Sequence, residues 1–178
     1  MDDVISSIRR FDHLEELCLS GSEVTSIGLT HVSTVGTLTK LDVSSTPVND
    51  HDVFLITKLS MLKVLNLHGC WNLTNSCVPH FNRFPMLVDL VVSGCAISDI
   101  TGITSLERLT RISCNGSCVD GACMRHVSTR LHAVRDLVVV GPSVGPLGMS
   151  DDDIAYCNEL CPRVSISYMP FSCNFEAA

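Results

Sequence analysis

At 178 residues the chain is long enough for one substantial core and short of the length at which cores usually divide. Hydrophobic residues make up 46% of it against 17% charged, which excludes wholesale disorder, and few of them are aromatic, so Leu, Val and Ile must fill the interior. A net charge of -7 argues against binding phosphate backbones, which takes clustered Lys and Arg, and no apolar run approaches the ~18 residues that cross a bilayer.

The expectation from these features is an intracellular, cytoplasmic protein with no nucleic-acid partner and no membrane insertion, since no basic leader precedes an apolar segment. The ten cysteines are spread along a chain too long to need disulfide staples, so they read as reduced thiols.

In chain order, Val4, Ile8 and Phe11 fall at helical spacing behind Asp2 and Asp3, so residues 1–13 form an N-terminal amphipathic helical cap. From residue 14 a pattern of three aliphatic anchors recurs: Leu14-Leu17-Leu19, Leu38-Leu41-Val43, Leu62-Leu65-Leu67, Leu87-Leu90-Val92, Leu109-Ile112-Cys114, Val134-Leu137-Val139 and Cys161-Val164-Ile166. A small or cysteine-like residue follows each third anchor by three, as Ser22, Thr46, Cys70, Cys95, Ser117 and Pro142. The stretch 142–149 reads as a loop. Ser150 to Asp153 read as a capping box that starts a helix running to about Leu160, and residues 170–178, with Phe171 and Phe175, as a C-terminal cap.

The anchors, spaced like the family consensus with its Asn or Cys position, resemble the leucine-rich-repeat family over residues 14–169. The resemblance implies a right-handed α/β solenoid of about seven repeats with a parallel sheet on its concave face. Leu87 to Leu106 resembles the 22-residue subtype of phosphatase regulators, with a short outer 3-10 turn. His68 to Thr74, with Gly69-Cys70-Trp71-Asn72-Leu73 between them, resembles the cysteine-containing subtype of F-box receptors, with a fuller outer helix. The mixture resembles protist repeat proteins.

Because alternate strand residues face opposite ways, the anchors point inward and the residues between them face the concave side. They fall in three columns: Glu16, Lys40, Val64, Asp89, Arg111, Asp136, Arg163; then Cys18, Asp42, Asn66, Val91, Ser113, Val138, Ser165; then Ser20, Ser44, His68, Ser93, Asn115, Val140, Ser167. Charges of alternating sign in the first column can pair across ~4.8 Å between strands. The candidate partner-binding residues are Val64, Asn66, His68, Asp89, Val91, Arg111, Asn115, Asp136, Val138 and Val140, with Val91, Val138 and Val140 as the apolar contacts.

Cys114, Cys118, Cys157, Cys161, Cys123 and His126 are soft metal ligands, but their spacings do not match paired Cys-x2-Cys zinc sites and Cys114 and Cys161 occupy anchor positions. They read as small buried hydrophobes. No phosphate-binding glycine loop and no nucleophile with its base is marked. The sequons at Asn72 and Asn115 matter only in a secreted chain. The expectation is therefore a non-enzymatic scaffold or adaptor with a protein partner and no cofactor or metal, as a subunit of a large assembly in its strongest form. Two alternatives stay open: the substrate-recognition part of an F-box-type ubiquitin ligase, and an extracellular recognition protein.

Overall fold

The computed structural model describes residues 5–141, 155, 158–159 and 161–170. Seven short strands make one parallel sheet in sequence order: β1 (Glu16–Cys18), β2 (Lys40–Asp42), β3 (Val64–Asn66), β4 (Asp89–Val91), β5 (Arg111–Asn115), β6 (Asp136–Gly141) and β7 (Ser165–Pro170). Leu17, Leu41, Leu65, Leu90, Ile112, Leu137 and Ile166 sit side by side in register across it. The five inner members are fully buried, while Leu17 and Ile166, at the two ends, are only partly covered. That gradient is what a stack produces, because each coil hides its aliphatic edge only against a neighbour.

Between strands the chain returns on the outer side through α1 (Ser26–Val32), α2 (Asp50–Ile56), a 3-10 helix (Asn75–Arg83) and α3 (Gly121–Arg130). Thr25, Asn49, Thr74 and Asp120 each cap one start by accepting a backbone N–H, and at α2 Asp52 completes a reciprocal capping box with Asn49. Helices are about 10 Å wide and strands about 4.8 Å apart, so stacking both makes the solenoid curve with the sheet on the inside.

The turn after each early strand uses a left-handed residue at one recurring position: Gly21, Ser45, Gly69 and Gly94, with φ of 66°, 54°, 67° and 73°. At Gly94 space as well as φ demands glycine, since a Cβ would lie 3.0 Å from the Gly69 backbone nitrogen. Cys70 and Cys95 follow directly, and their thiols donate to the Val43 and Leu67 carbonyls of the preceding coil, both at 3.1 Å. A small donor at this position thus ties one coil to the next.

Several expectations need correction. The N-terminal cap is a 3-10 turn, Ser6–Arg10, that buries Ile5 and Ile8 and leaves Phe11 61% exposed; Val4 lies outside the described residues. The seventh coil is shifted. Its Val164 donates to the Cys161 carbonyl as Leu38, Leu62, Leu87, Leu109 and Val134 donate to the residue three before each, so Val164 is the first anchor and Ile166 the second. Asp136 therefore faces Ser165 rather than Arg163, and β7 runs on to Pro170. In the fifth coil Ser117 is exposed and Cys118 takes the buried place, because Gly116–Cys118 forms a 3-10 turn.

The two subtype expectations for outer segments are also revised. The segment after His68 to Thr74 is a 3-10 helix containing Pro79, whose ring cannot join an α-helical ladder. The short coil after β4 has no outer helix among its described residues; Ile97, Ile100 and Ile103 are buried along it. Its backbone is satisfied by the coil before: Asn75 Oδ1 accepts from Ser98 N at 2.9 Å and Asn82 Oδ1 from Thr104 N at 2.7 Å. The 142–149 loop, the Ser150–Asp153 cap, and Phe171 and Phe175 lie outside the described residues.

The register makes a direct prediction for stability. Leu90→Ala should lower the unfolding free energy by about 2–5 kcal/mol in urea titration, and Leu90→Asp should abolish the cooperative transition. Exposed Glu16→Ala should change stability by less than about 0.5 kcal/mol.

Candidate functional site on the concave face

Outward-facing side chains on β2 to β5 and the turns after them form a connected, largely buried polar ladder. Asp42 Oδ1 accepts from the backbone and hydroxyl of Ser44, at 2.8 and 2.6 Å, and its Oδ2 accepts from Asn66 Nδ2 at 3.0 Å. Asn66 Oδ1 then accepts from the His68 backbone at 3.0 Å, His68 Nδ1 lies 3.0 Å from Ser93 Oγ, and Ser113 Oγ donates to Ser93 Oγ at 3.4 Å. The bonds between neutral groups are each worth about 0.5–1.5 kcal/mol net and those to the Asp42 carboxylate about 1.5–3 kcal/mol, and together they fix the side-chain positions.

Beside this ladder lies a shallow pocket with half-buried Val64 and buried Val91 on its floor and Lys40, Asp42, Asp89 and Arg111 around it. Arg111 Nη1 lies 3.6 Å from Asp89 Oδ2, the ion pair expected of the first column. Asp89 Oδ1 is buried and has no hydrogen-bond partner. Burial pushes the Asp89 carboxyl above its ordinary range; Arg111 opposes that shift, Asp136 adds to it, and Lys40 opposes it weakly.

Of the predicted residues, the structure thus brings Val64, Asn66, Asp89, Val91 and Arg111 together. His68 is half-buried next along the ladder, and Asp136 is exposed on β6, level with Arg111. Val91, Val138 and Val140 are 4%, 4% and 2% exposed, so they present almost no apolar area to a partner. Asn115 turns back into the fold: its Oδ1 accepts from Gly94 N at 2.7 Å and its Nδ2 donates to the Cys95 carbonyl at 2.6 Å. Arg163 is absent from this face, and its Nη2 donates to the carbonyls of Val127, Ser128 and Leu131 at the end of α3, at 2.8, 3.3 and 3.3 Å.

Lys40 and Asp42 belong to the pocket although the candidate set omitted them. The signal was available, because both stand in the outward columns beside Val64 and Asn66. Of the soft-ligand set, Cys114, Cys118, Cys123 and Cys161 are all buried in the core, which suits anchor-like small hydrophobes. The Cys161 thiol donates to the Met124 carbonyl at 3.3 Å, and His126 Nε2 hydrogen-bonds with the Ile103 carbonyl.

Comparison with solved structures then decides the architecture. An internalin C2 from Listeria monocytogenes matches over 97% of this chain and 68% of its own, with a TM-score of 0.66 at 16% identity. An internalin from the same organism, inlF, matches over 96% of this chain and 57% of its own, with a TM-score of 0.52 at 13% identity. The fold is a leucine-rich-repeat solenoid. No protein-family model matches the sequence, and no curated protein matches it. At such identities the likeness concerns the repeat architecture, and this chain spans about two thirds and just over half of the two internalins.

On the repeat's inner face, Asp89 has a pH signature. Its folded carboxyl titrates above the ordinary value of 3.8, so near and above that value the folded state holds the proton more tightly than the unfolded state. Stability attributable to this group therefore falls as pH rises through the folded value and is regained as pH drops towards 3.8. Asp89→Asn should raise the melting temperature at neutral pH, with the gain shrinking near pH ~4. A lower melting temperature at neutral pH would mean that the Arg111 pair outweighs the burial of the charge.

Proposed function

We propose that the protein is a non-enzymatic interaction module, a scaffold or adaptor that docks a protein partner on its concave face around the pocket between β2 and β5. The observation that carries this reading is Asp89, a carboxylate held half out of water with one oxygen unpartnered beside a shallow mixed-charge pocket. A folded chain gains nothing from such a group on its own, whereas a partner's N–H donor could engage it after a small side-chain rotation. The buried polar ladder alongside holds the pocket wall in place before binding, so little side-chain ordering is needed there.

Hydrolytic or group-transfer chemistry is not supported by the arrangement. Cys18 and His68 stand on strands two apart, roughly 10 Å by strand spacing, and the His68 ring is engaged with Ser93. Burial pushes the Cys95 thiol up to about 12, and Cys77 and Cys70 also upward, away from nucleophilic reactivity.

The proposal is tested by identifying the partner through affinity purification from the source cell and remeasuring its binding with purified proteins. Val64→Arg and Asp136→Arg should each weaken binding about tenfold or more, roughly 1.4 kcal/mol, while Glu107→Lys, exposed away from the sheet, should not. Equal binding by all four proteins would remove the concave face from the account.

The same proposal places the protein in a reducing, intracellular compartment, with Cys70 and Cys95 using their S–H groups as donors to carbonyls. Mass measurement of the alkylated native protein should then count ten free thiols and no glycan on Asn72 or Asn115. Any disulfide or glycan mass would place it outside the cell instead.

A further inference from the structure

The outer side of the solenoid carries a second constellation, remote from the sheet. Phe54 on α2 is 40% exposed, although the buried side of that helix is already supplied by Asp52, Val53 and Ile56. Three polar groups surround the ring. The Arg83 guanidinium lies over it with Cζ 5.1 Å from the centroid, the His80 ring is tilted against it at 5.5 Å, and the His51 ring stacks at 6.2 Å.

A guanidinium held over a ring by its charge uses none of its N–H donors on a hydrogen-bond acceptor and keeps them for another partner. Among the described residues Arg83 has no hydrogen bond or ion pair, and the rings of His51 and His80 have no hydrogen-bond partner. The nearby carboxylates are committed elsewhere: Asp50 accepts from the Thr74 backbone and hydroxyl at 2.8 and 2.6 Å, and Asp52 is buried in the capping box. A chain with net charge -7 therefore presents here a patch of positive and imidazole character around an exposed ring. On the neighbouring helix α1, Ile27 is 66% exposed.

We propose that this outer patch docks an acidic peptide segment of a protein partner, a carboxylate taking the free donors of Arg83 and His80 while an adjacent apolar side chain lies against Phe54. Charge complementarity selects the acidic partner, since a planar, pre-placed guanidinium fits a carboxylate with two parallel hydrogen bonds. The single fixed cation selects a peptide over a nucleic acid, because it does not supply the clustered Lys and Arg that a phosphate backbone requires. This site is independent of the concave one, so both can be occupied at once.

The probe is a fluorescein-labelled peptide of about 8 alternating glutamates and leucines, a length that covers two or three coils in extended form. Its binding to the full chain is followed by fluorescence anisotropy at low salt, beside a lysine–leucine counterpart. The acidic peptide should bind and the basic one should not. Arg83→Gln should weaken binding about tenfold by removing the charge-assisted pair, and Phe54→Ser should weaken it comparably. Arg83 is exposed and outside the core, so Arg83→Gln should leave the melting temperature unchanged, and it decides the matter if Phe54→Ser fails to fold. Unchanged affinity in Arg83→Gln, or no binding of the acidic peptide, overturns the proposal. Displacement by inorganic phosphate or a single-stranded oligonucleotide at lower concentration than by unlabelled peptide overturns the choice of a peptide and assigns the site to phosphate.

Discussion

The structure depends on one constraint: the aliphatic anchor of each coil must lie directly beside that of the next. A strand of three residues has almost no stability of its own, and a helix of seven residues is well below the length at which isolated helices persist in water. Both exist because Leu41, Leu65, Leu90, Ile112 and Leu137 bury one another completely in a continuous column. The coil lengths can vary, with strand-to-strand offsets of 24, 24, 25, 22, 25 and 29 residues from Glu16 to Ser165, because only the strand register must be kept. Length differences are absorbed on the outer side, as a helix, as a 3-10 helix, or as a bare segment served by Asn75 and Asn82 of the coil before.

That constraint explains which parts were legible from the amino-acid order. Hydrophobic spacing reports inward positions, so the strands, their parallel order and five of the six strand-to-strand registers could be read from the apolar anchors alone. The last was misread because Cys161 and Val164 keep the usual spacing of three while one residue is missing before Ile166. The turn bond from Val164 to Cys161 and the pairing of Leu137 with Ile166 distinguish the two alignments. Outer segments were less legible, since the choice between α and 3-10 geometry turns on single features such as Pro79.

The candidate site was legible as a set of columns and not as a surface. Facing the concave side does not make a residue available. Val91, Val138 and Val140 stand in outward columns and are nonetheless buried. Asn115 was misjudged for a related reason, as its amide satisfies Gly94 N and the Cys95 carbonyl at a turn where the backbone alone leaves both groups unpaired. Hydrogen-bond commitments of this kind lie across coils, about twenty residues apart in sequence, and no local pattern encodes them.

Charge is distributed across the two faces in a way that follows from the same geometry. On the inner side the strands bring side chains of successive coils close together, so Asp89 and Arg111 neutralise each other and what remains is a shaped, partly desolvated pocket. On the outer side the helices splay, side chains stand farther apart, and a cation such as Arg83 is held by an aromatic ring instead of a carboxylate. Recognition on the inner face would thus depend on fit and hydrogen bonding, with little dependence on salt. Recognition on the outer face would draw on net charge and weaken as ionic strength rises, because its cation is exposed to solvent. A curved repeat can in this way offer two surfaces with different physics from one stacking rule.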